Sequence, residues 1–257
     1  MTRVICLASG KGGVGKTTLA SNIALALNNF NKRVLIIDTN LTTPNLGFHM
    51  GIPLYPKTFH DLLRGEAYPE EATYVHPSGV NVMPAGISLS DLKKTDPKNM
   101  DNVILDLVGD HDIILLDGAA GLGNEGLAGI KAADEVLIVT NPELPAVTDA
   151  LKTVKIAEEM GTHILGVALN KHRNQPSELS VSEVEALMGY PVISIIPEEK
   201  YMQESLAAKT PLISYKPNTN TSHEINKLAG NLIGVDYQPP VQARASGLFS
   251  KIFSFLK

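Results

Sequence analysis

Short, uninterrupted apolar runs recur along the chain, and longer stretches with helical spacing of apolar positions lie between them. Runs of this kind are typical of strands buried on both faces of a parallel sheet. The predicted strands cover residues 4–8, 33–38, 80–86, 112–117, 133–140, 163–170 and 191–196. The predicted helices cover residues 19–27, 58–65, 96–108, 143–159, 180–189, 199–208 and 222–232. This alternation predicts an α/β fold with a doubly wound, mostly parallel sheet, helices on both faces and a ligand at the carboxyl edge of the strands.

The segment SGKGGVGKTT, residues 9–18, joins the first predicted strand to the first predicted helix. Its spacing of two glycines followed by Lys16 and Thr17 is that of a phosphate loop. Glycines let successive N–H groups point at an anion, and the helix N-terminus adds a partial positive charge. We expect Lys16 to reach the β- and γ-phosphates and the Thr17 hydroxyl to ligate Mg²⁺. A glycine-rich connector with an incidental lysine is the alternative. The candidate nucleotide-binding residues here are Gly10, Lys11, Gly12, Gly13, Val14, Gly15, Lys16, Thr17 and Thr18.

Lys11 is a second lysine, at the first variable position of the loop. The stretch KGGVGKTT resembles the deviant Walker A motif of the MinD/ParA family of P-loop ATPases, and the chain is similar to archaeal MinD-like proteins over roughly residues 3–233. In that family the equivalent of Lys11 crosses a dimer interface to the ATP phosphates of the partner. The resemblance therefore implies ATP or ADP and Mg²⁺ as ligands, ATP hydrolysis, and a homodimer that closes on ATP. A solvated loop lysine is the alternative for Lys11.

Two aspartates, Asp38 and Asp117, end predicted buried strands. Acidic residues at this end of a parallel strand lie at the ligand edge of the sheet. We expect Asp117 to hold Mg²⁺ through water, and Gly121 to sense the γ-phosphate in the second switch segment. The resemblance makes Asp38 the first acid of the first switch loop, with a catalytic and metal-binding role. An ordinary strand-end aspartate is the alternative for Asp117.

Asn40 stands where many MinD/ParA relatives carry the aspartate credited with orienting the attacking water. Asparagine cannot act as a base, but phosphoryl transfer requires positioning more than proton abstraction. We therefore expect hydrolysis that is slow, with Lys11, Lys16, Asp38 and Asn40 as the candidate catalytic residues. A scaffold that binds ATP without hydrolysing it is the alternative.

The adenine base has candidate contacts at the exits of two later strands. Asn170 matches the position from which the family reads the adenine edge, and an amide can both donate and accept there. A turn asparagine is the simpler explanation of this residue. Pro197 and Glu198 resemble the loop that lines the base in relatives.

Composition limits the remaining possibilities. The 257 residues can form a single domain, which we place at residues 1–236, and 44% hydrophobic and 19% charged residues are ordinary for a globular protein. The single cysteine, Cys6, excludes a disulfide framework and a Cys-x-x-Cys site. A net charge of −5 makes specific nucleic-acid binding an unfavoured function. The sequence has no apolar run long enough to span a membrane, and its first predicted strand begins at residue 4. We therefore expect a cytoplasmic protein.

The C-terminal end of the sequence has a different pattern. Residues 237–246 contain two prolines and small polar residues, which predicts a linker. Residues 247–257 predict an amphipathic helix whose apolar side chains share an arc of roughly 160°. Its candidate membrane-contacting residues are Leu248, Phe249, Lys251, Ile252, Phe253, Phe255 and Leu256. MinD proteins end in a membrane-targeting helix, so the resemblance favours reversible binding to an anionic membrane surface. Docking on the protein's own domain is the alternative.

Together these features predict a MinD-like ATPase that dimerises on Mg-ATP, binds the inner face of the cell membrane and leaves it after hydrolysis. Its role would be spatial positioning in cell division or of a motility apparatus, with an activator or cargo that the sequence does not identify. A ParA-type DNA partitioning ATPase shares every nucleotide motif. Iron–sulfur carriers of the Mrp type and nitrogenase iron proteins also use this fold, but they need more cysteine ligands than Cys6 supplies. FlhG is similar too, but it normally carries an N-terminal extension.

Overall fold

The computed structural model describes residues 1–52, 55–88, 91 and 95–240. The strands in these ranges are β1 Arg3–Ser9, β2 Val34–Asp38, β3 Tyr74–Val75, β4 Asn81–Met83, β5 Ile113–Ala120, β6 Glu135–Thr140, β7 His163–His172 and β8 Val192–Pro197. The helices are α1 Lys16–Asn29, α2 Leu46–His49, α3 Phe59–Leu63, α4 Pro69–Ala72, α5 Met100–Asp106, α6 Asn124–Lys131, α7 Leu144–Met160, α8 Val181–Met188, α9 Tyr201–Ala207, α10 Leu212–Tyr215 and α11 Asn220–Ile233. A 3₁₀ turn, Pro97–Asn99, precedes α5.

One sheet contains all eight of these strands, in the order β3-β4-β2-β5-β1-β6-β7-β8. Every neighbouring pair is parallel except β3 and β4, which are antiparallel. The predicted doubly wound, mostly parallel α/β sheet is thus confirmed. Because β1 lies at the centre, between β5 and β6, the loop that follows it is at the middle of the carboxyl edge, where ligands bind in open α/β sheets.

The central strands are buried on both faces, which is why they are almost entirely apolar. Alternate residues of β1 belong to different cores: Ile5 and Leu7 face the side of α1 and α11, whereas Val4 and Cys6 face the side of α5, α7 and α8. The sheet is therefore held between two apolar layers. None of the helices among the described residues combines the length and apolar character that a membrane span requires.

Most predicted elements match the structure, with differences of a few residues at their ends. The pattern missed the short elements α2, α4, β3 and α10, which carry too few residues to show a period, and it also missed the eight-residue helix α6. It also predicted one helix from residue 96, where the structure has the 3₁₀ turn and then α5. As expected, the Asp96 carboxylate caps this start by accepting a hydrogen bond from Lys98 N at 3.0 Å.

The beginning of the predicted linker packs on the domain. The hydroxyl of Tyr237 lies 3.0 Å from Nδ1 of His223 on α11, and its ring meets that of Phe30 edge-on at a centroid distance of 6.2 Å. Gly230 leaves room for this contact, because a side chain there would lie 3.5 Å from Cβ of Tyr237 and 2.5 Å from the carbonyl oxygen of Val235. The domain thus extends slightly beyond residue 236. The predicted helix at residues 247–257 lies outside the described residues.

Candidate functional site

The loop between β1 and α1 owes its shape to its glycines. Gly13 and Gly15 have φ angles of 81° and 98°, in the left-handed region that side chains disfavour. Gly10 is needed for a different reason, since a Cβ there would lie 2.1 Å from the carbonyl carbon and oxygen of Asp149 in α7. The backbone of the loop is therefore wedged against α7 and then turns into α1, whose first N–H groups face the loop.

The two loop lysines have opposite environments. Lys16 is buried, and its Nζ donates to Oγ of Ser9 at 2.7 Å, while that hydroxyl donates to the carbonyl oxygen of Lys11 at 2.8 Å. Burial lowers the pKa of Lys16, and the nearby carboxylate of Asp117 partly opposes this effect. The side chain of Lys11 is exposed and makes no hydrogen bond or ion pair with the part of the chain that the structure describes. Lys16 thus points into the site, and Lys11 is available to an external group.

Asp38 and Asp117 lie side by side, because they are register partners on β2 and β5. Both oxygens of Asp117 are buried without a hydrogen-bond partner among the described residues. Burial raises the pKa of Asp117 to about 6, against the opposing effects of the Thr17 side chain and the Lys16 charge. Burial and then the charge of Asp117 raise the pKa of Asp38. The site therefore holds two crowded acidic groups with little compensating charge.

Unpartnered carboxylate oxygens next to a hydroxyl fit a hard divalent cation such as Mg²⁺. That ion usually binds one or two carboxylates and completes its shell with water and substrate phosphates. Asp117 and Thr17 are the residues that would hold such an ion, and this role remains a prediction. Bound there, Mg²⁺ would offset the negative charge of the phosphates and carboxylates.

Asp38 has a structural task that the sequence did not reveal. One of its oxygens accepts a hydrogen bond from the backbone N–H of Asn40 at 3.1 Å, and the other accepts from those of Asn45 and Leu46, each at 3.0 Å. The carboxylate thereby fixes both ends of the loop between β2 and α2. A metal-binding role for Asp38 remains a prediction, and the structure shows these three backbone groups as its partners.

Asn40 closes a turn in the same loop. Its Nδ2 donates to the carbonyl oxygen of Thr43 at 2.8 Å, and its Oδ1 accepts from the N–H and hydroxyl of Thr43 at 3.3 and 3.2 Å. Next to it, Thr42 donates through both its N–H and its hydroxyl to the carboxylate of Glu125 in the first turn of α6. The loop between β2 and α2 is thus tied to the first turn of α6. To orient water, as predicted, Asn40 would have to share or give up its bonds to Thr43.

Gly121 directly follows β5 and has a left-handed conformation, with φ of 76°. Its N–H donates to the carbonyl oxygen of Ser9 at 2.9 Å. In this conformation the amide is therefore occupied by β1, and sensing of a γ-phosphate by Gly121, which remains a prediction, requires that this bond open.

A cavity of about 530 Å³ extends from the phosphate loop to α9. Its walls include Gly13, Gly15, Lys16, Thr17 and Thr18 at the phosphate loop. The part beside α9 is lined by apolar Ile196, Pro197, Met202, Leu206 and Ile225 and by polar Glu198, Glu199 and Gln203. A cavity that joins a lysine-containing phosphate loop to a partly apolar region matches the polarity of a nucleoside di- or triphosphate.

Of the residues predicted to contact the base, all three line this cavity. However, the Nδ2 of Asn170 already donates one hydrogen to the carbonyl oxygen of Val14 at 2.7 Å, so only its second N–H and its oxygen are available for a base. The carboxylate of Glu198 is paired with the guanidinium of Arg173 at 2.5 and 2.9 Å. The role of these residues in adenine recognition thus remains a prediction.

Several residues that line or border the cavity were not predicted from the sequence. His49 is one, since its Nε2 lies 3.3 Å from the hydroxyl of Thr18 and its Nδ1 lies 2.9 Å from the carbonyl oxygen of Asn45. Lys171 is another, and the apolar residues of α9 complete the set. For Lys171 a signal existed, because it directly follows Asn170 at the exit of a strand.

Comparison with known proteins agrees with the fold and the phosphate loop described above. The ParA family model, described as an NUBPL iron-transfer P-loop NTPase, matches residues 1–233. An uncharacterized ATP-binding protein of Methanocaldococcus jannaschii is 36% identical over 256 residues, which is 100% of this chain and 97% of the relative.

Two solved archaeal structures are similar as well. The septum site-determining protein MinD of Pyrococcus horikoshii, complexed with Mg-ADP, is 33% identical with a TM-score of 0.87, over 90% of this chain and 96% of that one. The cell division ATPase MinD of Pyrococcus furiosus is 34% identical with a TM-score of 0.88, over 91% of this chain and 99% of that one. The chain is a member of the ParA family of P-loop NTPases, with MinD proteins among its close relatives.

Proposed function

We propose that this protein is a MinD-like ATPase that forms a homodimer on binding Mg-ATP, associates with an anionic membrane surface through residues 247–257, and is released after hydrolysis. Its task would be the spatial positioning of a partner or cargo in the cell. The observation that carries the proposal is the position of Lys11. This lysine is exposed beside a complete phosphate loop, and among the described residues its ammonium has no partner.

The residues of this chain account for binding of the nucleotide. The N–H groups of the loop and the Lys16 ammonium would hold the phosphates, and the part of the cavity beside α9 would hold the base. Thr17 and Asp117 would hold Mg²⁺, and the relative from P. horikoshii was solved as a complex with Mg-ADP. Lys11 would contribute its charge to phosphates bound by a second copy, where an exposed cation replaces hydration with charge-assisted bonds.

The hydrolytic step would be slow, because Asn40 offers an amide and that amide is already bonded to Thr43. An ATP-binding protein with no turnover is the second candidate, and the same observation favours it. Single-turnover measurement with radiolabelled ATP separates the two candidates, since only the slow ATPase would release phosphate faster than the Lys16→Ala variant.

Membrane binding is proposed from the sequence of residues 247–257 and from the resemblance to MinD proteins. A short amphipathic segment binds weakly alone, whereas two segments in one dimer gain effective concentration. Dimerisation would therefore convert weak binding into stable association, and separation of the subunits would reverse it. DNA binding is less well supported, since the net charge of −5 opposes a broad basic surface.

An iron-transfer function, which the description of the family model names, is a poor fit to this chain. Its one cysteine, Cys6, is buried in the middle of β1, and burial raises the pKa of this thiol to about 12. A thiolate is the form that binds iron, so Cys6 is badly placed to serve as a ligand.

The proposal can be tested by measuring mass in solution and pelleting with vesicles that contain anionic lipids, each with ATP and with ADP. Wild type should be dimeric and vesicle-bound with ATP, and monomeric and unbound with ADP. Lys11→Ala should prevent dimerisation and pelleting, and deletion of residues 247–257 should prevent pelleting alone. Lys98→Ala, which changes another exposed lysine, should behave as wild type. Equal pelleting with ATP and ADP, or pelleting that survives the deletion, would refute the proposal.

A further inference from the structure

Lys171 lies in an unusual conformation beside the phosphate loop. Its φ angle is 57°, a left-handed value that is uncommon for a residue other than glycine. The side chain reaches across to the loop, and its Nζ donates to the carbonyl oxygen of Gly13 at 2.7 Å. The side chain also lies close to Gly15, since a Cβ added to that glycine would be 3.9 Å from Cε of Lys171. The strained backbone thus directs a lysine onto one carbonyl group of the loop.

The next carbonyl of the loop is held in a similar way. The oxygen of Val14 accepts from Nδ2 of Asn170 at 2.7 Å. With its nitrogen oriented toward the loop, the amide of Asn141 at the end of β6 also reaches this oxygen, at 3.2 Å, and the carbonyl oxygen of Asn170, at 3.3 Å. Side chains from the ends of β6 and β7 therefore hold two consecutive carbonyl groups from outside the loop.

Fixing a carbonyl group also fixes the N–H of the following residue. In a planar trans peptide the C=O and the next N–H point in opposite directions. When Gly13 and Val14 direct their oxygens outward to Lys171 and Asn170, the N–H groups of Val14 and Gly15 are turned toward the other side. An anion-binding loop depends on N–H groups that point inward together before the ligand arrives.

We propose that Lys171 is a positioning residue for the phosphate loop, which holds the Gly13–Val14 peptide so that its N–H faces the phosphates of a bound nucleoside di- or triphosphate. The inference rests on the proposed function in that the loop must bind such a nucleotide. It explains why a lysine occupies a backbone conformation that costs free energy, since the conformation aims its ammonium at Gly13. Lys171 should therefore affect the affinity for the phosphates and not the affinity for the base.

The test compares Lys171→Met with Lys171→Arg and with Lys209→Met. Lys209 is a matched control, because it too has a left-handed φ, of 52°, but it is exposed and does not line the cavity. The affinity of each protein for a fluorescent ADP analogue with Mg²⁺ is measured by titration, and its affinity for unlabelled adenosine by competition. We expect Lys171→Met to bind the ADP analogue about tenfold more weakly and adenosine as wild type does. Lys171→Arg should recover most of the loss, and Lys209→Met should match wild type.

Each other outcome is decisive. An unchanged affinity of Lys171→Met for the ADP analogue would overturn the inference while leaving the proposed function intact. An equal loss for ADP and adenosine would also overturn it, because it would assign the side chain to the base. Thermal unfolding of the nucleotide-free variants shows whether a loss of affinity reflects a loss of folding, and the Lys171→Arg variant then decides the question. Absence of ADP binding by wild type itself would refute the proposed function and this inference together.

Discussion

Replacing Asp117 by asparagine should stabilise the nucleotide-free protein at neutral pH. The side chain is fully buried on β5, and neither of its oxygens has a hydrogen-bond partner among the described residues. Its charge is therefore unfavourable until a cation arrives. Asparagine has the same shape and no charge, so the substitution removes the cost of burying the carboxylate while leaving the packing of the strand in place.

The size of the effect follows from the raised pKa. A change from 3.8 in the unfolded chain to about 6 in the folded protein corresponds to about 3 kcal/mol. Because the folded protein holds the proton more tightly, the contribution of Asp117 to stability is complete below about pH 4. It is lost as the pH rises through about 6. Wild type should therefore lose about 3 kcal/mol across this range relative to the variant, and the variant should melt roughly 6–12 °C higher at pH 7.5.

Thermal unfolding in the presence of a chelator, at pH values from 4 to 8, measures this difference directly. Asp110→Asn is the matched control, since Asp110 is exposed and its replacement should have little effect. Saturating Mg-ADP should reverse the order of Asp117→Asn and wild type, because only wild type retains the proposed cation ligand. If Asp117→Asn were no more stable than wild type at pH 7.5 without Mg²⁺, the reasoning about an uncompensated buried charge would be wrong.

Two further predictions concern the loops. Asn40→Asp should lose the hydrogen bond from Nδ2 to Thr43, which should lower the free energy of unfolding by about 1 kcal/mol in urea denaturation. The same variant should hydrolyse ATP several-fold faster in a single-turnover assay. An unchanged rate would show that Asn40 does not limit the reaction. Gly10→Ala should destabilise the protein by about 3 kcal/mol or more, because its Cβ would overlap the backbone of Asp149. Gly13→Ala should destabilise it by only about 1–2 kcal/mol, because the added Cβ meets no atom within 4 Å and the cost comes from the positive φ. Equal losses in denaturation experiments would contradict this distinction.

The sequence predicted the features that depend on local pattern. Uninterrupted apolar runs identified the central strands, and glycine spacing with Lys16 and Thr17 identified the phosphate loop. The placement of Asp38 and Asp117 at one edge of the sheet was predicted, because the carboxyl ends of parallel strands share that edge. That their strands pair with each other is visible only in the structure.

Features that depend on contacts between distant segments could not be predicted in this way. Asn170 was predicted to read the base, yet its nitrogen is bonded to Val14, which lies 156 residues earlier in the sequence. Asp38 was assigned to metal binding, and no sequence pattern shows that its oxygens accept three N–H groups of the following loop. The packing of Tyr237 depends on space beside Gly230, which composition alone does not indicate.

The contact of Tyr237 with Phe30 also determines where the chain leaves the domain. Phe30 directly follows α1, whose other end carries the phosphate loop, and the 14 residues of that helix span about 21 Å. Tyr237 therefore lies near the edge of the sheet opposite the phosphate loop. A phosphate bound at the loop would not touch Tyr237. Under the proposed function, a nucleotide would thus influence residues 247–257 through the joining of two domains and not through direct contact.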